Sequence, residues 1–169
     1  MKRSIREEIG QSRPFRSSSQ EAVVALLRTA HLVRRKVESV VGAEGITSQQ
    51  YNVLRILRGA RAPLPTMEIS GRMIETACGI TRLVTTLEQK GLVKREQWAG
   101  DRRQYLCQIT AAGLHLLERL DPPINAIDES LGESVDQNRL PLFLDVLSEI
   151  RDRIGPEPGE HTQAEPPNP

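Results

Sequence analysis

The stretch from Thr76 to Thr110 constrains this chain more than any other. Its first part reads as one amphipathic helix from Thr76 to Lys90, with Thr76 as N-cap, because Ile80, Leu83, Val84 and Leu87 recur at three- and four-residue spacing. Gly91 closes it. The opposite face carries Thr81, Arg82, Thr85, Thr86 and Gln89, a set of short hydroxyls, one guanidinium and one amide. Residues 92–110, LVKREQWAGDRRQYLCQIT, then read as two strand-like runs. Between them lies a tip with Gly100 and Asp101, followed by Arg102 and Arg103.

A helix whose polar face matches the edges of base pairs, feeding at once into a basic hairpin, has the order of a winged helix-turn-helix. In that arrangement the helix enters the major groove and the hairpin reaches backbone or minor groove. The rest of the chain fits around such a unit. A first long helix is expected from Gln20 to Val41, with Val23, Leu26, Leu27, Ala30, Val33, Val37, Val40 and Val41 at helical spacing and Gly42 and Gly45 ending it. Thr47 and Gln50 form a capping-box pattern for a second helix, which buries Tyr51, Leu54 and Leu57 and stops at Gly59. Pro63 and Pro65 make 61–65 a rigid loop, after which Thr66 caps a short helix from Met67 to about Ile74. Thr110 caps a fifth helix with Leu114, Leu116, Leu117 and Leu120 apolar. Asp121, Pro122 and Pro123 are expected to break or kink it, with Asp121 capping a restart. A last helix holds Leu140, Phe143, Leu144, Leu147, Ile150 and Ile154, with Pro141 in its first turn. Residues 1–19 are polar and without period and read as a mobile basic arm, and 155–169 as a disordered, proline-rich acidic tail.

At 169 residues and 38% hydrophobic, the chain can bury one ordinary core. The formal net charge of +1 hides an asymmetry: residues 1–20 carry +3, 21–50 carry +1, 51–110 carry +5 and 111–169 carry −8. A basic centre beside an acidic end suits a polyanion-binding module with a separate part that stays off the polyanion. Absence of an apolar run near 18 residues and of a signal-like N-terminus argues for a cytoplasmic protein with no membrane contact.

The run from Pro65 to Gly113 resembles the MarR (multiple antibiotic resistance regulator) family of winged-helix transcription factors. ITRLVTTLEQKGLVKR at 80–95, DRRQ at 101–104 and ITAAG at 109–113 stand in that family's order and spacing. The resemblance covers about a hundred residues, from roughly Thr47 to Leu120. It implies a triangular homodimer with N- and C-terminal helices interleaved at the apex and two lobes on successive major grooves of double-stranded DNA. On this chain the MarR-like domain would be 20–154, with the winged helix-turn-helix at about 47–110 and dimerisation helices at about 20–41 and 111–154. The resemblance also implies a repressor of a near-palindromic operator. Its regulator would be a small aromatic or anionic ligand in a cleft between dimer and DNA parts.

The chemistry of the individual residues agrees with this. Thr81, Thr85 and Thr86 can offer hydroxyls to phosphates or bases and methyls to thymine, and Arg82 can reach guanine or backbone. Arginine at a hairpin tip can enter a narrow minor groove or grip a phosphate. The family pattern Asp-x-Arg implies that Asp101 orients Arg103 for insertion, leaving Arg102 for phosphate. His31, Arg34 and Arg35 on the first helix could neutralise an anionic ligand, although a plain solvated surface accounts for them as well. Cys78, in the first turn expected of the recognition helix, reads as a small tolerated side chain, although the helix dipole there would favour a thiolate. Cys107 reads as strand packing. The cysteines and histidines lack metal spacing, no cofactor motif is present, and no nucleophile stands with a base, so no catalytic or metal site is expected. The alternative for the lobe is a protein-interaction module whose arginines meet an acidic partner.

Overall fold

A computed structural model describes residues 3–75, 79–98 and 100–155, with backbone alone at 101–103. The elements in chain order are α1 (Ile5–Glu8), α2 (Ser18–Ala43), α3 (Ser48–Gly59), β1 (Leu64–Pro65), α4 (Thr66–Gly71), α5 (Ile80–Gln89), β2 (Val93–Trp98), β3 (Asp101–Ile109), α6 (Ala111–Glu133) and α7 (Leu140–Ile154). The fold is mainly α with a small antiparallel sheet, ordered β1-β3-β2.

Where local chemistry is strong, it sets the element ends. The Thr47 hydroxyl accepts from the Gln50 amide N–H at 3.2 Å, and the Gln50 side chain accepts from the Thr47 N–H at 3.1 Å, so two of the first orphan donors of α3 are satisfied reciprocally. Thr110 opens α6 in the same way, accepting from the Gly113 N–H at 3.1 Å while donating to the Gly91 carbonyl at 2.7 Å. Gly45 and Gly91 take φ of +72° and +71°, where a Cβ would be strained, at the two chain reversals after α2 and α5.

Four expectations need correction. The recognition helix does not begin after a Thr76 cap: it opens at Ile80, and Gly79, with φ +91°, stands at the N-cap without a side-chain hydrogen bond. Thr76 and Cys78 themselves lie outside the described residues, as does the tail from 156 onward. Thr66 is the first residue of α4 rather than its cap, its hydroxyl lying 3.6 Å from Cys107 Sγ, and α4 ends at Gly71. The 61–65 loop contains an edge strand, with Leu64 opposite Cys107 and Pro65 opposite Leu106; an edge is where a proline lacking its N–H is tolerated. Finally, α6 is not broken at Pro122 and Pro123. Leu116, Leu117, Leu120 and Ile124 bury one continuous stripe across the prolines, and Asp121 is held by two Arg58 Nη1 contacts of 2.7 and 3.0 Å. Burying a side chain of this size contributes about 1.5–3 kcal/mol, so four of them match or exceed the roughly 6 kcal/mol expected of two interior prolines at ~3 kcal/mol each.

The N-terminal segment, expected to be aperiodic, contains the single turn α1, closed by a Ser4–Glu7 capping box and tied to α2 by a 2.7 Å Glu8–Arg28 ion pair.

The core lies within the lobe. Val53, Leu54 and Leu57 of α3, Ile69 of α4, Val84 and Leu87 of α5, Val93 and Cys107 of the sheet, and the first half of α6 bury one another. By contrast α7 buries nothing, and Leu27 of α2 and Phe143, Leu144 and Ile154 of α7 remain exposed.

One glycine is fixed by packing rather than by torsion. A Cβ at Gly113 would overlap the Leu92 carbonyl oxygen and come 2.7 Å from Ile109 Cγ1, so the close approach of α6 to the root of the hairpin depends on glycine there. In an open helix, alanine would be favoured over glycine by about 1 kcal/mol. Here Gly113→Ala is expected to destabilise by about 1–3 kcal/mol through overpacking, read as a lower urea midpoint with an unchanged m-value.

Candidate nucleic-acid interface

Helix α5 presents the predicted face. Ile80, Val84 and Leu87 anchor its inner side in the core. Thr81, Arg82 and Gln89 are exposed, and Thr85 and Thr86 are half-buried on the flank. Two of these hydroxyls are already donating: Thr85 Oγ1 to the Thr81 carbonyl at 2.8 Å and Thr86 Oγ1 to the Arg82 carbonyl at 2.9 Å. In this state the two threonines offer a partner acceptor lone pairs and methyl groups rather than O–H donors, and Arg82 is the donor of the face.

Two contacts that sequence reasoning missed position this helix. The Asn52 side chain on α3 accepts the Ile74 N–H at 2.9 Å, tying the segment after α4 to α3. Glu88, on the flank of α5, pairs with Arg95 of β2 through Nε at 2.7 Å and Nη2 at 2.5 Å, and the Arg95 guanidinium lies 5.3 Å from the centre of the Tyr105 ring on β3. Arg95 is only 19% exposed, so this is the best shielded ion pair among the described residues. It makes helix and wing one unit. Nothing in the linear spacing marks it, since Glu88 and Arg95 lie on different kinds of element.

The hairpin carries the expected arginines on an irregular ladder. Val93 faces Ile109, and the pairing runs regularly to Gln97 opposite Tyr105, but Trp98 then faces Asp101. Arg102, Arg103 and Gln104 fit between those two pairs. Irregularities of this kind bend a strand and re-aim its side chains, here beside the tip. The side chains of Asp101, Arg102 and Arg103, and with them the expected Asp101–Arg103 pair, lie outside the described residues. Cys107, on the wall of the sheet, is fully buried, and that burial pushes its thiol pKa up, as befits packing rather than reactivity.

Between α2, α3 and α5 lies an open cleft of about 490 Å³, lined among others by Arg34, Glu38, Glu75, Arg82 and Leu83. Arg34 reaches across it to Glu75 at 2.6 Å. His31 and Arg35, considered with Arg34 from the sequence, do not line this space.

This geometry meets the comparisons with known proteins at the same residues. A sequence model described as "MarR family" matches residues 46–105, the span from the end of α2 through the hairpin. A solved MarR transcription factor from Planctomyces limnophilus is 31% identical, with 80% of this chain and 98% of that chain covered and a TM-score of 0.62. The chain belongs to the MarR family. The transcriptional regulator TtmR of Methylorubrum extorquens strain PA1 is 27% identical over 153 residues, covering 90% of this chain and 76% of the relative. CouR from Rhodococcus jostii RHA1, solved bound to p-coumaroyl-CoA, is 23% identical, with 80% and 95% covered and a TM-score of 0.68. This MarR protein is a DNA-binding transcriptional regulator.

If Glu88 holds the wing to α5, Glu88→Ala should lower stability by about 1.5–3 kcal/mol, the range for hydrogen bonds to charged groups. Amide hydrogen exchange should accelerate in 93–109 more than in α3, a contrast that generic destabilisation would not produce.

Proposed function

We propose that the protein is a cytoplasmic homodimeric repressor that places α5 of each protomer in successive major grooves of a near-palindromic operator. In this reading Thr81, Arg82, Thr85 and Thr86 face the base edges. Arg103, oriented by Asp101, enters the minor groove, and Arg102 holds a phosphate. The observation that carries the reading is the division of the molecule: a basic lobe with its own core, and terminal helices that leave several large apolar side chains uncovered among the described residues. Phe143 is 47% exposed, Leu144 56% and Leu27 66%. Large apolar side chains left exposed on α2 and α7 support an association surface there. The acidic C-terminal helices then stand away from the phosphates, as the charge asymmetry requires.

Regulation belongs to the cleft. A small aromatic ligand carrying a negative charge, its ring like the p-coumaroyl group that CouR binds, would place that ring against Leu83 and the charge near Arg34 or Arg82. There it would compete with Glu75 for Arg34. To act as inducer it must favour a lobe spacing that does not fit the operator, since a ligand shifts a two-state equilibrium only by its difference in affinity.

The test is a salt titration on duplexes selected by the protein from a random pool. Arg103→Ala is expected to cost about 1–3 kcal/mol and reduce the slope of log K against log salt by about 1. An unchanged affinity would remove the wing from the interface. Sedimentation equilibrium should give a dimer for the wild type, and Leu144→Asp should shift it toward monomer with the lobe still folded. A wild-type monomer would overturn the two-lobed arrangement.

A further inference from the structure

The chain has one tryptophan, and it sits at the tip of the wing. Trp98 ends β2, 41% exposed, at the point where the ladder slips and the arginine-bearing segment is accommodated. Its ring is laid over the tip backbone: a Cβ at Gly100 would come 3.0 Å from Cζ2, 3.1 Å from Cε2 and 3.3 Å from Cη2. What glycine provides here is room for the ring. One face of the indole is therefore occupied and the remainder points outward.

An aromatic ring held in this way has lost its rotamer freedom before any partner arrives, which removes much of the entropic cost of using it in binding. Its surroundings also name the partner. Trp98 lies on the hairpin that follows the base-facing helix and directly opposite Asp101, next to Arg102 and Arg103, where the proposed reading puts the DNA minor groove. The deoxyribose walls of that groove are largely apolar, and its floor carries acceptors that an indole N–H can meet. Intercalation needs two free ring faces, and Gly100 covers one.

We propose that Trp98 is a DNA-contacting residue whose exposed face packs on the sugars lining the minor groove beside the wing. The contact adds apolar area to an interface otherwise held by charge, and it rests on the reading of the wing as a DNA element. Since no charge is involved, it contributes affinity without contributing to counterion release.

The experiment uses the full-length protein and fluorescently end-labelled duplexes of about 30 base pairs recovered from the same selection, long enough for two adjacent half-sites. Tryptophan emission and DNA anisotropy are followed in one titration. Because Trp98 is the sole tryptophan, its emission should change saturably with the anisotropy. Trp98→Ala should weaken binding on the order of tenfold, toward the lower end of the range for aromatic–base stacking because the ring packs on sugars, with an unaltered salt slope, and Trp98→Phe should recover most of the loss. Emission that stays constant while anisotropy saturates, or wild-type affinity in Trp98→Ala, would overturn the proposal. So would a Trp98→Ala loss accompanied by a reduced salt slope, which would mean that the ring only shapes the tip for its arginines. Anisotropy that never rises with the wild type would instead sink the DNA reading of the wing, a failure visible before any variant is made.

Discussion

The backbone of α6 approaches the backbone at Leu92 so closely that no side chain fits between them at Gly113, and the functional part of the molecule is arranged around that approach. Three segments meet there. Leu92 donates to the Leu87 carbonyl at 2.9 Å, closing the end of α5; Thr110 donates to the Leu92 carbonyl at 3.1 Å, closing the hairpin; and the Thr110 hydroxyl caps α6 while holding Gly91. The end of the recognition helix, the root of the wing and the start of the helix that leaves the lobe are thus one hydrogen-bonded junction. Close-packed cores and junctions of this kind shift between discrete arrangements instead of deforming continuously. A displacement of the first turn of α6 is therefore felt by α5 and the wing together.

The contact between Glu88 and Arg95 extends the same unit outward. With the α5 stripe buried and Arg95 sandwiched between Glu88 and Tyr105, helix and wing form a single rigid reading head. The Arg34–Glu75 pair is different in character. It joins the long N-terminal helix to the turn before α5, and both of its side chains are about half exposed. A solvated pair of this type contributes little to stability and is readily exchanged for another partner. The shielded Glu88–Arg95 pair thus lies within the lobe, and an exchangeable pair lies between the lobe and the long N-terminal helix.

Much of this was legible in the sequence where one signal acted locally. Thr47 with Gln50, Thr110, Gly45, Gly91 and the stripe of α5 declare themselves because the groups that satisfy them are three or four residues away. The failures share the opposite property. Continuity of α6 through Pro122 and Pro123 depends on burial against α3 and on Arg58, 63 residues distant from Asp121. The pairing of Leu64 with Cys107 is equally remote. Composition puts the start of α5 at Thr76, a good cap, whereas the helix opens after a left-handed Gly79 that no side chain caps. The α1 turn was passed over although its Ser4–Glu7 box is local, because four residues are too few to show a period. At the site, residue types on α5 and in the tip were readable. The ladder slip at Trp98 was not, since it is a property of two strands.

The two prolines within α6 have a mechanical meaning. Neither can donate, so the carbonyls of Glu118 and Arg119 lose their in-helix N–H and two successive rungs of the hydrogen-bond ladder are missing. The helix that leaves the lobe after the wing therefore has its lowest bending stiffness near mid-length, on the outward side of a stripe that stays packed. Torque applied at its far end will be absorbed as flexure at that point, so the strut behaves as a sprung lever whose pivot was set by two imino acids.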